Sequence, residues 1–295
     1  MPPSSRSFSR SANARRTTEL PLQDAPARQA LVERLRTAGC VFAEDEADLL
    51  LASAATPDEL ERMVQQRVRG VPLEQILGWA EFAGLRIAVA PGVFVPRRRT
   101  EFMLRQALML APPQPVVVEL CCGSAALGLA LASTLPQVEL YVTDIDAAAV
   151  RCARGNLAGI PGVAGVLQGD LYEPLPDSLA GRVDLLLANA PYVPSGSIRL
   201  MPPEARLYES RLALDGGSDG LDVLRRIIAG ATRWLGPTGW LLVETSRSQT
   251  PASVAAFERN GLAARVVTSD ELDATVVLGW PASPGSRNNQ SGAGH

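Results

Sequence analysis

An alternation of short apolar strands and helices constrains the fold of this chain more than any other feature of its sequence. It begins near residue 115 and continues to about residue 280. The run Val116 to Cys121 is β-branched and largely apolar, which is typical of a strand buried in a parallel sheet. A helical pattern follows from Ser124 to Leu135, and the same order recurs further along the chain. The alternation predicts a doubly wound α/β domain.

The remaining strands and helices of this domain are predicted in the same way, from apolar runs and from apolar residues at helical spacing. Helices are predicted at Asp146–Leu157 and Leu221–Leu235, and strands at Glu139–Asp144, Val163–Gln168, Val183–Asn189, Trp240–Glu244, Ala263–Thr268 and Ala274–Gly279. We assign the domain to residues 96–280.

The chain before residue 96 has a different character. Residues 21–75 predict a small helical domain, because apolar residues recur at helical spacing and Thr56-Pro57-Asp58-Glu59 has the composition of a capped helix start. Residues 76–95 predict a linking β-hairpin, since apolar residues alternate in Phe82 to Val89 beside a glycine-containing turn. The composition of residues 1–20 and 281–295 predicts disordered tails, with an organelle-targeting role for the first left open.

Several absences exclude whole classes of chemistry. All 28 basic residues are arginine, so a Schiff-base lysine and a phosphate-loop lysine are excluded. The one histidine, His295, is the last residue, which argues against histidine triads, metal sites and general bases. The four cysteines form no Cys-x-x-Cys pair, so we expect free thiols and no metal site.

Charge and hydropathy narrow the range of partners. The net charge of −3 argues against stable nucleic-acid binding. No apolar run approaches the roughly 18 residues that a membrane-spanning helix needs. We therefore expect a cytoplasmic protein without a membrane association.

Polar and small residues follow the first two predicted strands, at the edge where open α/β sheets bind ligands. Small residues in the loop Cys121-Cys122-Gly123-Ser124-Ala125 would let the backbone approach a cofactor such as S-adenosylmethionine (SAM), with Glu119 accepting from its ammonium group. Asp144 lies about 20 residues beyond this loop, where a carboxylate binds both ribose hydroxyls. A tight strand–helix turn and a helix cap are the alternative interpretations.

The third predicted strand is followed by Gly169-Asp170-Leu171. Asp170 is a candidate acceptor for the amino group of adenine, and Leu171 is a candidate cover for its ring. The alternative is a simple Gly-Asp turn with no ligand.

Asn189-Ala190-Pro191-Tyr192 follows the fourth predicted strand and carries the strongest signal for chemistry. An asparagine at the end of a buried strand is costly unless its amide is paired. Pro191 favours extended geometry at Ala190, which can turn the carbonyl of residue 190 towards the cleft. Tyr192 offers a flat ring against which a planar group can pack. An ordinary Asn-Pro loop is the alternative.

Two oxygens that converge on one NH₂ group suit methyl transfer to an amide or amino nitrogen. An amide lone pair is delocalised and weakly nucleophilic, so acceptors on both N–H groups orient the nitrogen and favour developing positive charge. A methyl donor then needs only in-line approach at ~3–3.5 Å. The proton can leave after the transfer, so the absence of lysine and of a usable histidine is no obstacle.

The chain resembles the peptide-chain release factor N(5)-glutamine methyltransferases over roughly residues 25–280. The most specific matching segments are Arg69 to Gly78, Glu81 to Leu85, Pro91 to Arg97, Pro202 to Arg206, Leu214 to Gly217, Asp219 to Asp222 and Leu241 to Glu244. The resemblance implies a class I SAM-dependent methyltransferase domain with a Rossmann-like sheet. It also implies that the helical domain recognises the substrate, a glutamine in the Gly-Gly-Gln loop of a release factor.

The resemblance assigns roles to particular positions of this chain. Asn189 and the carbonyl of Ala190 would accept from the substrate amide, with Tyr192 packing beside it. Gly123, Asp144 and Leu171 would contact SAM, and Asn189 lies next to both ligands.

The chain also departs from the family pattern. Ala190 replaces the first proline of Asn-Pro-Pro-Tyr, and Arg98 and Arg99 replace proline and glutamate in Pro-Arg-Pro-Glu-Thr-Glu. Two loop glycines are replaced by Cys121 and Ala125. Two other functions stay open. The same Asn-x-Pro-Tyr geometry could hold an amino group of a nucleic-acid base for methylation, and the altered loop and Ala190 leave open SAM binding without catalysis.

Overall fold

A computed structural model describes residues 25–282 of the chain. The predicted tails lie outside the described residues, apart from 281 and 282. Contacts divide the described chain into two compact units, one ending at Gly70 and the other beginning at Val71. Among the helices of these units, none is long and apolar enough to cross a membrane.

The first unit consists of three helices, α1 (Ala25–Thr37), α2 (Ala43–Ser53) and α3 (Pro57–Val68). The start of α3 matches the sequence pattern, because the Thr56 side chain accepts from the backbone N–H of Glu59 at 3.2 Å. The Glu59 carboxylate accepts from the N–H of Ala55 at 2.7 Å. Arg67 and Glu46 form a buried ion pair between α3 and α2, with Nε and Oε2 2.5 Å apart. The small apolar core contains Leu31, Val32, Leu35, Ala43, Ala47, Leu50, Met63 and Val64.

The second unit begins with helix α4 (Leu73–Leu77) and the hairpin β1 (Trp79–Phe82) and β2 (Leu85–Ala88). Phe82 pairs with Leu85, so the loop has two residues, Ala83 and Gly84. Both have positive φ, as the twist of a two-residue hairpin loop requires. The hairpin predicted from the sequence is therefore present.

Seven strands form the main sheet of the second unit, in the order β5-β4-β3-β6-β7-β9-β8. The first five strands in this order are parallel, and β9 runs antiparallel between β7 and β8. The chain passes from β3 to β4 on one side and returns to β6 on the other, which creates the switch point where such sheets bind ligands. The strands are β3 (Val116–Leu120), β4 (Glu139–Asp144), β5 (Val163–Gln168), β6 (Val183–Ala188), β7 (Leu235–Glu244), β8 (Leu262–Ser269) and β9 (Ala274–Pro281).

Helices cover both faces of this sheet and bury two apolar layers. Met103 and Leu131 belong to one layer, and Ile227 and Phe257 belong to the other. The helices are α5 (Glu101–Leu110), α6 (Ala126–Thr134), α7 (Ala147–Asn156), α8 (Pro203–Tyr208), α9 (Asp222–Trp234) and α10 (Thr250–Arg259).

The structure confirms the doubly wound α/β fold and corrects several element boundaries. Helix α6 begins at Ala126 rather than Ser124, because Ala125 has a left-handed φ of 57° that no α-helix continues. Strand β6 ends at Ala188, which leaves Asn189 beyond the ladder with its side chain available to the cleft. Helices α5, α8 and α10 are additions to the sequence-based prediction.

Candidate active site

A cleft lies at the carboxyl ends of β3, β4 and β6, around the switch point of the sheet. It encloses about 1120 Å³ out to its open mouth. Glu119, Asp144 and Asn189, each near the end of a different strand, line the same cavity. The strongest candidates from the sequence therefore lie together at one edge of one sheet.

The loop after β3 turns sharply through three residues in the left-handed region: Cys121, Gly123 and Ala125 have φ of 54°, 55° and 57°. This path brings the backbone of Cys122 to the next strand, where its N–H donates to the carbonyl of Thr143 at 3.0 Å. Burial raises the pKa of both cysteine thiols, so they stay protonated at neutral pH. The loop thus adds small, uncharged groups to the cleft wall.

Glu119 is a buried carboxyl group on β3 that reaches the first turn of α6. Its Oε2 accepts from the backbone N–H of Gly128 at 2.8 Å. A Cβ at position 128 would lie 2.6 Å from this oxygen, so glycine is what permits the contact. Burial, with the nearby charge of Asp144 in the same direction, raises the pKa of Glu119 to about 8 although the Gly128 bond opposes it.

Asp144, at the end of β4, holds two parts of the cleft wall through its carboxylate. Oδ2 accepts from the N–H of Gly123 at 2.8 Å, and Oδ1 accepts from the N–H of Asp146 at 2.9 Å. Each carboxylate oxygen has a second lone pair, so two acceptor positions remain for a ligand. The helix cap considered as an alternative belongs to Asp146, whose side chain accepts from Ala148 at 2.8 Å.

A ligand with a cationic group and two hydroxyl groups would fit the acidic residues in this part of the cleft. Glu119 and Asp144 offer carboxyl oxygens on neighbouring strands, and the loop between them presents backbone and small side chains. SAM carries an ammonium group and a ribose diol, so these residues fit its two polar ends. A side chain at Gly123 would meet only Phe94 Cβ, at 3.9 Å, so the loop borders open space.

Asn189 is held by a chain of hydrogen bonds that reaches two distant segments. Its Nδ2 donates to Thr100 Oγ1 at 3.2 Å, and Thr100 Oγ1 donates to Glu244 Oε2 at 2.8 Å. Glu244 Oε1 accepts from Arg99 Nε at 3.0 Å and from the Tyr192 hydroxyl at 3.4 Å. The costly asparagine amide is thus paired, as the sequence predicted.

Tyr192 lines the same cleft as Asn189. The Arg99 guanidinium lies 5.6 Å from the centroid of its ring. Burial, followed by the charge of Glu244, raises the pKa of Tyr192 to about 12, so its hydroxyl remains a neutral donor. Its backbone carbonyl accepts from Gln249 Nε2 at 2.9 Å. A Cβ at Gly220 would lie 2.2 Å from this carbonyl oxygen, which explains the glycine in that loop.

The structure brings most of the sequence-predicted site residues together. Those that line the cleft are Glu119, Cys121, Cys122, Gly123, Ser124, Asp144, Asn189, Ala190, Pro191 and Tyr192. Ala125, the last residue of the loop, is fully buried and is not among the residues that line the cleft. Asp170 forms an ion pair with Arg226 at 2.7 Å, and the carbonyl of Leu171 accepts from Thr143. The roles predicted for Asp170 and Leu171 at adenine stay predictions.

Sequence reasoning missed the roles of Thr100 and Glu244. Glu244 gave the same signal as Asn189, because a polar residue that ends a buried apolar strand needs a partner. Thr100 gave no such signal, since its two partners are 89 and 144 residues away along the chain. Phe94 and Pro96 also line the cleft and were matched only as part of a longer segment.

Comparisons with known proteins agree with this geometry. Residues 84–209 match the family model described as "Methyltransferase small domain". A methyltransferase structure from Pyrococcus furiosus superposes with a TM-score of 0.52 at 13% identity, over 68% of this chain and 91% of that one. This likeness concerns the fold alone.

Two curated relatives are similar over most of their length. The release factor glutamine methyltransferase of Geobacter sulfurreducens is 38% identical over 208 residues, which are 70% of this chain and 72% of the relative. A 4-amino-L-phenylalanine/4-methylamino-L-phenylalanine methyltransferase of Streptomyces pristinaespiralis is 34% identical over 244 residues, 80% and 82% of the two chains. The SAM-dependent methyltransferase fold and the extent of the first match lead to one assignment: this chain belongs to the release factor glutamine methyltransferase family.

Proposed function

We propose that this protein transfers a methyl group from SAM to the side-chain amide nitrogen of a glutamine in a protein, namely the Gly-Gly-Gln loop of a peptide-chain release factor. The observation that carries the proposal is the position of Asn189. Its side chain lines the same cleft as Glu119 and Asp144, and its NH₂ group is already bonded to Thr100. That bond leaves the side-chain oxygen as the group available to an acceptor.

The acceptor amide is oriented by hydrogen bonds rather than activated by a base. SAM would supply an electrophilic methyl group on a sulfonium centre, whose bond to sulfur breaks as the bond to nitrogen forms, with a neutral thioether as the leaving group. Asn189 Oδ1 accepts one N–H of the glutamine amide, and the carbonyl of Ala190 accepts the other. These acceptors favour positive charge on the nitrogen as it forms its new bond, and they hold it in line with the donor.

No group in the described cleft wall needs to remove a proton before the transfer. Tyr192 is a neutral donor to Glu244, and Glu244 is occupied by three hydrogen bonds. The methylated amide is a strong acid once its nitrogen is positive, so the proton passes to water. This suits a chain that has no lysine and whose one histidine is its last residue.

The helical unit of residues 25–70 supplies the second part of the proposal. The family resemblance assigns substrate recognition to this domain. We therefore assign the chemistry to the cleft, and recognition of the whole acceptor protein to the helices.

The test uses the purified full chain, SAM and a release factor with its Gly-Gly-Gln loop. Mass spectrometry of the digested release factor should find one methyl group, on that glutamine. A release factor with Gln→Ala in the loop is the matched control and should remain unmodified. Methylation of another residue, or of neither protein, would count against the proposal.

A second candidate acceptor is the aromatic amine of a free amino acid. The similarity to the Streptomyces pristinaespiralis enzyme, over 80% of this chain, motivates it. The same two oxygens would hold an aryl NH₂ group, and Tyr192 would pack on the ring. Incubation with 4-amino-L-phenylalanine separates the candidates, since our proposal predicts transfer to the release factor at a far lower acceptor concentration.

Two further outcomes of these incubations would each indicate a different function. Transfer to RNA or DNA but not to protein would indicate a nucleic-acid base as acceptor, which the net charge of −3 disfavours. SAM binding by calorimetry without transfer to any acceptor would indicate a non-catalytic SAM-binding protein. The paired Asn189 amide and the intact acid residues of the cleft support catalysis instead.

A further inference from the structure

Thr100 and Glu244 form a buried polar link behind Asn189. Thr100 directly precedes α5 and is 6% exposed, while Glu244 ends β7 and is 3% exposed. Both are more deeply buried than the Arg99 side chain, which is 41% exposed at the far end of the link. Water therefore has little access to the Thr100–Glu244 hydrogen bond at the centre of this link, while the bonds to Arg99 and Asn189 at its two ends are partly buried.

The direction of each hydrogen bond in this link is fixed by what its members can donate. Arg99 is always charged and forms an ion pair with Glu244, so the carboxylate acts only as an acceptor. Thr100 has a single hydroxyl proton, which it must give to Glu244 Oε2. Its oxygen can then only accept, and of the two ends of the Asn189 amide only Nδ2 can donate to it.

We propose that Thr100 and Glu244 are positioning residues that set the orientation of the Asn189 amide. With these two residues in place, the Asn189 side chain points its Oδ1 towards the acceptor nitrogen and its NH₂ group towards Thr100. With the amide rotated by half a turn, an N–H would face the N–H of the acceptor, and no hydrogen bond would form. The inference rests on the proposed function, because it concerns how the same site holds its acceptor.

Glu244 also links the two side chains that flank the acceptor. Oε2 acts on Asn189 through Thr100, and Oε1 accepts from the Tyr192 hydroxyl at 3.4 Å. Arg99 bonds the same Oε1 and lies over the Tyr192 ring. One carboxylate, 52 residues beyond Tyr192 in the sequence, therefore fixes both the hydrogen-bonding group and the packing surface.

The first arm of the test compares Thr100→Val with Thr100→Ser. Valine keeps the shape of threonine and removes the hydroxyl, whereas serine keeps the hydroxyl. We expect Thr100→Val to lower kcat for release factor methylation by about tenfold to a hundredfold, as small misplacements of reacting groups do. Thr100→Ser should stay within about threefold of the wild type, and SAM affinity should be unchanged in both.

The second arm is a double-mutant cycle between Thr100→Val and Glu244→Gln. A glutamine at 244 can donate to Thr100, which reverses the bond and allows the Asn189 amide to rotate. If both residues act through that amide, the double variant should be about as slow as the slower single variant. A merely structural role would lower the melting temperature without this pattern in kcat.

The outcomes separate this inference from the proposed function. Unchanged kcat in Thr100→Val, failure of serine to restore it, or additive losses in the cycle would overturn the role of the link. A wild-type protein that methylates no glutamine would instead end the proposed function and the inference with it.

Discussion

At the scale of single residues, Glu119 and Asp144 are two carboxyl groups of the cleft with different surroundings. Glu119 is buried on β3 with one backbone donor, and its pKa is raised to about 8. Asp144 accepts two backbone N–H bonds, and burial also raises its pKa. A carboxyl group with a pKa near 8 is largely protonated at neutral pH, so a cationic ligand beside Glu119 must displace a proton.

We predict that SAM binding releases up to one proton at neutral pH. The ammonium group of SAM favours the charged form of Glu119 and lowers its pKa, so the proton leaves as the cofactor enters. Binding enthalpies measured by calorimetry in two buffers of different ionisation enthalpy give the number of protons released. Glu119→Gln should bind SAM more weakly and release none from this site; equal proton release in both proteins would contradict the assignment.

The sequence identified polar residues that would be costly to bury without a hydrogen-bond partner. It missed residues whose partners lie far away along the chain. Asn189 was predictable because an amide after a buried strand requires a partner in any fold. Thr100 was not, since a threonine before a helix is ordinary until Glu244 and Asn189 are brought beside it. The orientation of the Asn189 amide is therefore a property of the tertiary structure.

At the scale of elements, the strands of the parallel part of the sheet were predictable from their apolar runs. The strand order was not, because the antiparallel insertion of β9 between β7 and β8 depends on pairing between distant segments. Helix α5 carries an apolar stripe of Met103, Leu104 and Ala107, yet its contribution to the site comes from the turn before it. The hydrogen bond from Gly128 of α6 to Glu119 of β3 could not be predicted from the sequence either.

A pair of glycine substitutions tests that link. Gly128→Ala places a Cβ 2.6 Å from Glu119 Oε2, so the carboxyl group must move and SAM affinity should fall by about tenfold. Gly155→Ala in α7 is the matched control, because a Cβ there meets no atom within 4 Å. It should raise the free energy of unfolding by about 0.5–1 kcal/mol and leave SAM binding alone. Equal SAM affinity in the two variants would refute the role of Gly128.

At the scale of the whole molecule, two compact units are proposed to divide recognition and chemistry. The first unit is small, and a buried ion pair between Arg67 and Glu46 joins two of its three helices. Removal of one partner from such a pair leaves a buried charge without its counter-charge. The stability of this unit can therefore be changed at a site outside residues 71–282, which contain the cleft.

We predict that Glu46→Ala destabilises the helical unit by about 3–5 kcal/mol and leaves SAM binding intact. Methylation of the whole release factor should weaken through KM, whereas a short glutamine peptide should be methylated as by the wild type. Asp48→Ala breaks the exposed ion pair with Arg28 and is the control, with a cost below about 1 kcal/mol. Equal losses for peptide and protein acceptors would contradict the division of roles.

The most direct test of the account is the single-turnover rate of methyl transfer by Asn189→Ala, with SAM and release factor both saturating. Alanine removes the oxygen that holds the acceptor nitrogen and leaves Glu119 and Asp144 in place. We predict a rate at least about 100-fold below that of the wild type, with SAM affinity within about twofold. A rate equal to the wild type would show that the acceptor amide is held by other groups, and the proposed mechanism would be wrong.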